Sequence, residues 1–197
     1  MMMREKNYLK ALSFFEEVTR IDPGYRTGWL RKGDALRMLR RFRESIESYD
    51  EAVSIDPDMA LAHERKGMAL MMLKRYEQAS RCFVESLKKS PNNKEAWYLN
   101  GLANLRLGKL SESLESFDRA LHIDPRDKTV WKGKAEVLFG MGELESSQKA
   151  VARALEIDPA YVKALDLKDM IEDEFAKKGQ EDLDELEELE ELDEIEE

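Results

Sequence analysis

The chain reads as an all-α repeat protein, a solenoid of antiparallel helix pairs, and three observations carry that prediction. Its five prolines, Pro23, Pro57, Pro91, Pro125 and Pro159, stand 34 residues apart throughout. Its three tryptophans, Trp29, Trp97 and Trp131, keep one phase of that period, and His63 takes the remaining slot. Each proline follows an amphipathic stretch, such as residues 45–55, whose apolar residues recur at spacings of three and four. That spacing makes one helical stripe, and a fixed period means one supersecondary unit stacked along a line.

Each period accommodates two helices. Proline removes an amide donor and biases the residue before it away from helix, so the second helix of a period stops there. The next helix opens one or two residues later, with Asp58, Asn92 or Asn93, and Asp127 as N-cap candidates. Short turns separate the two helices of a period near Arg40, Lys74, Gly108 and Gly142. The two glycines suit a left-handed helix end.

Aligned by period, the residues alternate in size. Position 4 holds Trp29, His63, Trp97 and Trp131, and position 8 holds Gly33, Gly67, Gly101 and Ala135. Position 11 holds Leu36, Leu70, Asn104 and Leu138, and position 20 holds Ser45, Ala79, Ser113 and Ser147. Position 24 gives Tyr49, Phe83, Phe117 and Val151, and position 27 gives Ala52, Ser86, Ala120 and Ala154. Small residues let helix backbones approach, and large ones fill the space around them. A fully buried tryptophan at position 4 would contribute roughly 4–6 kcal/mol of gross transfer energy.

This pattern resembles the tetratricopeptide repeat over about residues 7–178. The resemblance implies a right-handed superhelix of helix pairs. Position 7 departs steadily from the family's leucine, with Lys32, Lys66, Asn100 and Lys134. The second repeat diverges most, through His63, Ser86, Lys89 and Ser90. The expected organisation is a partial repeat at 1–24 (a second helix alone), then four repeats within 25–159, about 26–59, 60–93, 94–127 and 128–161. A capping helix at 160–179, ending at Gly179, and an acidic tail at 180–197 complete it.

The tail changes how the net charge of −10 is read. Between Glu181 and Glu197, 12 of 17 residues are acidic, and the rest are Leu183, Leu186, Leu189, Leu192 and Ile195. Without them the chain holds 30 acids against 32 bases, so the folded body is nearly neutral. Leucines spaced by three wind around a straight helix and make a poor stripe, but they can serve as anchors for a groove. At the other end, residues 1–22 match a second helix without its first: either the chain is a fragment of a longer protein, or the half-repeat has an uncovered apolar flank, for which self-association is the expected use.

In tetratricopeptide proteins the first helix of each repeat lines a concave groove. The resemblance carries that role onto Arg31, Arg37, Met38, Arg65, Met68, Met72, Tyr98, Leu102, Arg106 and Phe139, with Leu30, Glu64, Met71, Leu99, Leu105, Lys132 and Glu136 at matching positions. Flexible methionines accept varied apolar anchors, and arginines favour acidic ligands. The expected partner is a protein or peptide, acidic and amphipathic, from outside or from the chain's own tail. The carboxylate clamp of some tetratricopeptide co-chaperones is absent, because its positions hold Leu30, Asp34, Arg65, Glu95 and Leu99.

Other function classes find little support. The two histidines, His63 and His122, have no catalytic or metal-ligating spacing to each other or to Cys82, so no catalytic residue, metal or cofactor is expected. Residues 101–109 fail as a phosphate loop, with six residues between Gly101 and Gly108 where four are needed and Leu110 where serine or threonine is required. A near-neutral body with an acidic tail disfavours nucleic acid. No apolar run is long enough to cross a membrane, and a lone cysteine suits a reducing, cytoplasmic setting. The sequence therefore points to a non-catalytic interaction scaffold, or alternatively to a homo-oligomeric adaptor assembled through its half-repeat or its tail.

Overall fold

The computed structural model describes the backbone of residues 2–196, with side chains from residue 5 to 180 and at Leu183. Among the described residues there are ten helices and no strand. They form two compact units, Met1–Asp124 and Pro125–Glu197.

The first unit holds α1 (Met2–Ile21), α2 (Arg26–Met38), α3 (Phe42–Ile55), α4 (Ala60–Met72), α5 (Tyr76–Lys89), α6 (Lys94–Arg106) and α7 (Leu110–Ile123). Within it α2 packs on α3, α4 on α5 and α6 on α7, while α1, α3 and α5 each also meet the helix that follows. The first helices α2, α4 and α6 touch in turn and make one layer; the second helices make the other.

The centre of each pair is an aromatic ring on the second helix. Tyr49, Phe83 and Phe117 are fully buried. Each lies against a glycine of its own first helix. A methyl group added at Gly33, Gly67 or Gly101 would stand 2.5, 2.7 or 2.7 Å from a ring carbon. Position 8 is glycine because the ring occupies the place of a Cβ.

The tryptophans behave otherwise than the sequence suggests. They are half-buried rather than fully buried, and each is tied to the loop behind it. Trp29 and Trp97 donate their indole N–H to the carbonyls of Pro23 and Pro91 at 2.8 Å. His63 takes the same part, its Nε2 lying 3.0 Å from the Pro57 carbonyl. The periodic proline and the periodic ring are therefore two halves of one clasp.

Helix ends follow a second rule. The N-cap is the residue immediately before the first helix: Tyr25, Met59 or Asn93. Only Asn93 caps with its side chain, accepting the Ala96 amide at 3.1 Å. Asp58 is not a cap, and neither is Asn92. Asp58 stands one residue too early, and its own amide donates to the Asp56 carboxylate at 3.1 Å. At the turn inside each pair a residue takes the left-handed conformation: Arg40 at φ 61°, Lys74 at 59° and Gly108 at 71°. The amide one residue later closes the helix end, as when Arg75 donates to the Leu70 carbonyl at 3.0 Å.

The second unit repeats these devices in α8 (Lys128–Gly140), α9 (Leu144–Ile157) and α10 (Val162–Glu196). Asp127 caps α8 through the Thr129 and Val130 amides, Gly142 turns at φ 78°, and Trp131 clasps Pro125 at 2.8 Å. Here Ala135 replaces the glycine, and the smaller Val151 replaces the ring. Helix α10 closes the unit with Ala164, Leu167 and Ile171, all buried. Gly179 does not end α10, which runs on to Glu196. A single exposed glycine penalises a helix by only about 1 kcal/mol, and the leucines and glutamates beyond it are strong helix formers.

Candidate peptide-binding surface

The first-helix layer of the first unit places most of the expected groove residues. From α2 come Arg31 and Met38, both exposed, with Arg37 half-buried. From α4 come Arg65 and Met68, half-buried, and Met72, whose surface is 55% exposed. From α6 come Tyr98 and Leu102, half-buried, and the exposed Arg106. Phe139, half-buried on α8, belongs to the second unit, as do Lys132 and Glu136, which pair with each other.

Several matching positions do not line a surface. Leu30 is 2% exposed and belongs to the core around Tyr49 and Phe83. Glu64 is buried and accepts from Asn93 Nδ2 at 2.5 Å, a bond from α4 to the cap of α6. Met68, Met71 and Leu99 pack partly against the same core. Tyr98 leans on Phe117, with ring centroids 6.0 Å apart.

At the amino-terminal part of this layer the charges converge. Asp34 accepts from the Tyr49 hydroxyl at 3.0 Å and lies 3.4 Å from Arg31 Nη1 and 3.9 Å from Arg65 Nε. Arg65 also reaches the Met68 sulfur at 3.5 Å. Burial, and then the Asp34 charge, push the Tyr49 hydroxyl well above its ordinary range, so it remains a donor. Arg37 sits beside the same hydroxyl. The Nε atoms of Arg37 and Arg65 are buried without a hydrogen-bond partner. Two guanidinium groups thus lie at one carboxylate, with Arg37 beside the tyrosine that donates to it, and Met38 and Met72 are exposed on the same helices, α2 and α4. Such a surface can accept further carboxylates beside apolar anchors.

Sequence reasoning missed a second polar cluster. Asn100 and Asn104 are buried on α6; Asn100 donates to Ser116 Oγ at 3.0 Å, and Ser80 Oγ donates to Asn100 Oδ1 at 2.8 Å. The cluster joins α5, α6 and α7. Its signal was asparagine at positions 7 and 11 where the other repeats carry lysine and leucine. Of the tail anchors, Leu183 is exposed, and Leu186, Leu189, Leu192 and Ile195 have side chains outside the described residues.

The chain belongs to the tetratricopeptide repeat family. One model of that repeat matches residues 30–79 and 64–128, and a second matches 104–168. No curated protein sequence matches at a significant level. Among solved structures, MamA is similar with a TM-score of 0.76 and 20% identity, over 82% of this chain and 94% of MamA. A MamA fragment from Desulfovibrio magneticus RS-1 matches at 0.75 and 20%, over 81% and 90%. YrrB, described as a tetratricopeptide protein with an unusual peptide-binding site, matches at 0.73 and 19%, over 84% of each chain. At such identities these likenesses establish the all-α repeat fold alone. The family is one of protein-interaction scaffolds. Among the described residues no helix is long and apolar enough to cross a membrane, and no cluster of His, Cys, Asp or Glu could hold a metal.

Proposed function

We propose that this protein is a non-catalytic scaffold that binds an acidic, amphipathic peptide or helix on the first-helix face of α2, α4 and α6. The observation that carries the reading is the pairing of Arg31 and Arg65 with Asp34, with Arg37 beside the Tyr49 hydroxyl that donates to it, on helices that also expose Met38 and Met72. Arg31 and Arg106 are exposed on this face and can donate charge-assisted hydrogen bonds to ligand carboxylates. Apolar anchors of the ligand would rest on Met38, Met72, Leu102 and Tyr98, with Arg106 at the far end. The tail, with acids around spaced leucines, has the composition of such a ligand. A reducing, cytoplasmic setting goes with the single Cys82, which is half-buried and has its thiol pushed up by burial.

The test is fluorescence anisotropy of a labelled peptide with the sequence of residues 180–197, titrated with the full chain. Binding should weaken as salt rises, because screening acts over about 8 Å at physiological ionic strength. R31E and M72E should each weaken it about tenfold or more, equal to roughly 1.4 kcal/mol. Arg119→Glu, on the opposite helix layer, should not. Binding that survives both R31E and M72E undiminished would place the ligand elsewhere.

A further inference from the structure

Two turns of the first unit repeat one short sequence. Met38, Leu39, Arg40 and Arg41 lead out of α2, and Met72, Leu73, Lys74 and Arg75 lead out of α4. Each methionine is the last residue of its helix and is exposed, at 45% and 55%. The cation two places on takes the left-handed conformation, at φ 61° in Arg40 and 59° in Lys74. The turns of the third and fourth pairs are made otherwise. Arg106 and Gly140 stand in place of the methionines, and Gly108 and Gly142 hold the left-handed position. A side chain is penalised in that conformation and glycine is not. The chain therefore accepts a strained cation at the same two turns where it exposes a methionine on the first-helix face.

Nothing within the fold repays that strain. Arg40, Lys74 and Arg75 are exposed, and among the described residues none of their side chains meets an acidic partner. Residues 37–44 and 71–78 hold six cations and two carboxylates. Both carboxylates are already paired, Glu44 with Arg41 and Glu77 with Arg81 and Lys109. Helices α2 and α4 touch, and packed helices lie about 8–10 Å apart, so the two strained cations stand side by side along the turn edge. Each is two residues from its methionine. A local rule broken without a structural gain marks a place kept for contact with something else.

We infer that Arg40 and Lys74 receive carboxylates of the bound acidic segment while its apolar residues rest on Met38 and Met72. The inference rests on the peptide-binding reading above and extends its site from the helix face onto the turns. The occupant is a carboxylate-rich protein segment, because each cation is coupled to an apolar anchor and duplex phosphate offers none. An extended anionic surface of lipid would also meet the 12 acids between Glu181 and Glu197, where a short segment need not. At the third pair the cation moves from the turn onto the helix, as Gly108 and Arg106. The turn row therefore selects acids only in the part of the ligand that lies over the first two pairs.

The test is anisotropy of the labelled 180–197 peptide with the full chain and its R40G/K74G variant, which carries the glycines of the other turns. That variant should melt no lower than the parent, so a loss of binding is not a loss of fold. It should bind the peptide about tenfold more weakly, with a shallower dependence on salt. R40K/K74R should bind as the parent does. A peptide with every Asp and Glu changed to its amide should bind the parent and R40G/K74G equally. Undiminished binding by R40G/K74G, with M72E still weakening it, overturns this inference alone. So does an equal loss for the acidic and the amide peptide, because the two cations would then not be reading charge. A parent chain that binds neither peptide overturns the peptide-binding reading and this inference together. Competition from duplex DNA, or from vesicles of equal phosphatidylserine and phosphatidylcholine, that disappears in R40G/K74G gives the row to a phosphate surface and overturns the assignment as well.

Discussion

The second helix pair, α4–α5, and the third, α6–α7, are built on one plan with different parts. The third has a side-chain cap in Asn93, an indole clasp in Trp97 and a glycine at its left-handed turn. It also has an ion pair between Lys94 and Asp124 at 2.8 Å, which joins the start of its first helix to the end of its second. The second pair begins at Met59 without a side-chain cap, clasps with His63 and turns through Lys74 at φ 59°. Ala60 and Ser90 stand where that ion pair would be, Lys89 and Asp58 pair at 2.5 Å instead, and the Ser86 hydroxyl is buried without a partner. Yet Phe83 is as deeply buried as Phe117. What the pairs share is the ring over glycine, so packing with neighbours fixes the fold and the local devices only trim its stability.

The largest test of that conclusion strikes the shared part. G67A and G101A should each destabilise by about 1–3 kcal/mol, because a methyl group there must displace a ring in a packed core. Similar losses in denaturant melts would uphold the comparison; a mild effect at Gly67 alone would mean that the second pair is loosely packed. Next comes N93A, which removes a cap and leaves the buried Glu64 without its partner. A loss of about 1–2 kcal/mol is expected, against at most a few tenths for D58A, which loses no cap and only its exposed ion pair with Lys89. The smallest effects sharpen the contrast by giving the second pair what the third has. S86A should stabilise by about 1 kcal/mol, since it removes an unsatisfied buried hydroxyl. K74G should add about 0.5–1 kcal/mol, the left-handed penalty of a side chain less the entropy of glycine.

The period makes the helix pairs legible in the sequence alone, because 34-residue spacing of rings, glycines and prolines survives every local substitution. Details that depend on a single residue's neighbours were not legible. Nothing in arginine or lysine as a residue type announces the left-handed turns at Arg40 and Lys74; the following helix imposes them. Asp58 has the chemistry of a cap, but the chain offers that place to Met59, whose side chain packs on the core instead. The cluster around Asp34 joins α2, α3 and α4, and only folding brings Arg65 and Tyr49 to one carboxylate. The family pattern led to Leu30 and Glu64 as well as to Met38 and Met72, and only burial separates the first two from the second.

The clasps also decide what an optical experiment can see. Indole emission responds to loss of a hydrogen bond and of partial shielding, and the three tryptophans report on the first, third and fourth pairs. The second pair holds its loop with an imidazole, which is dark in that window. Local opening of α4–α5 would pass unseen in a fluorescence melt, while hydrogen exchange at those amides would register it. A H63W chain would light that blind segment, with Pro57 already in place to receive the new indole.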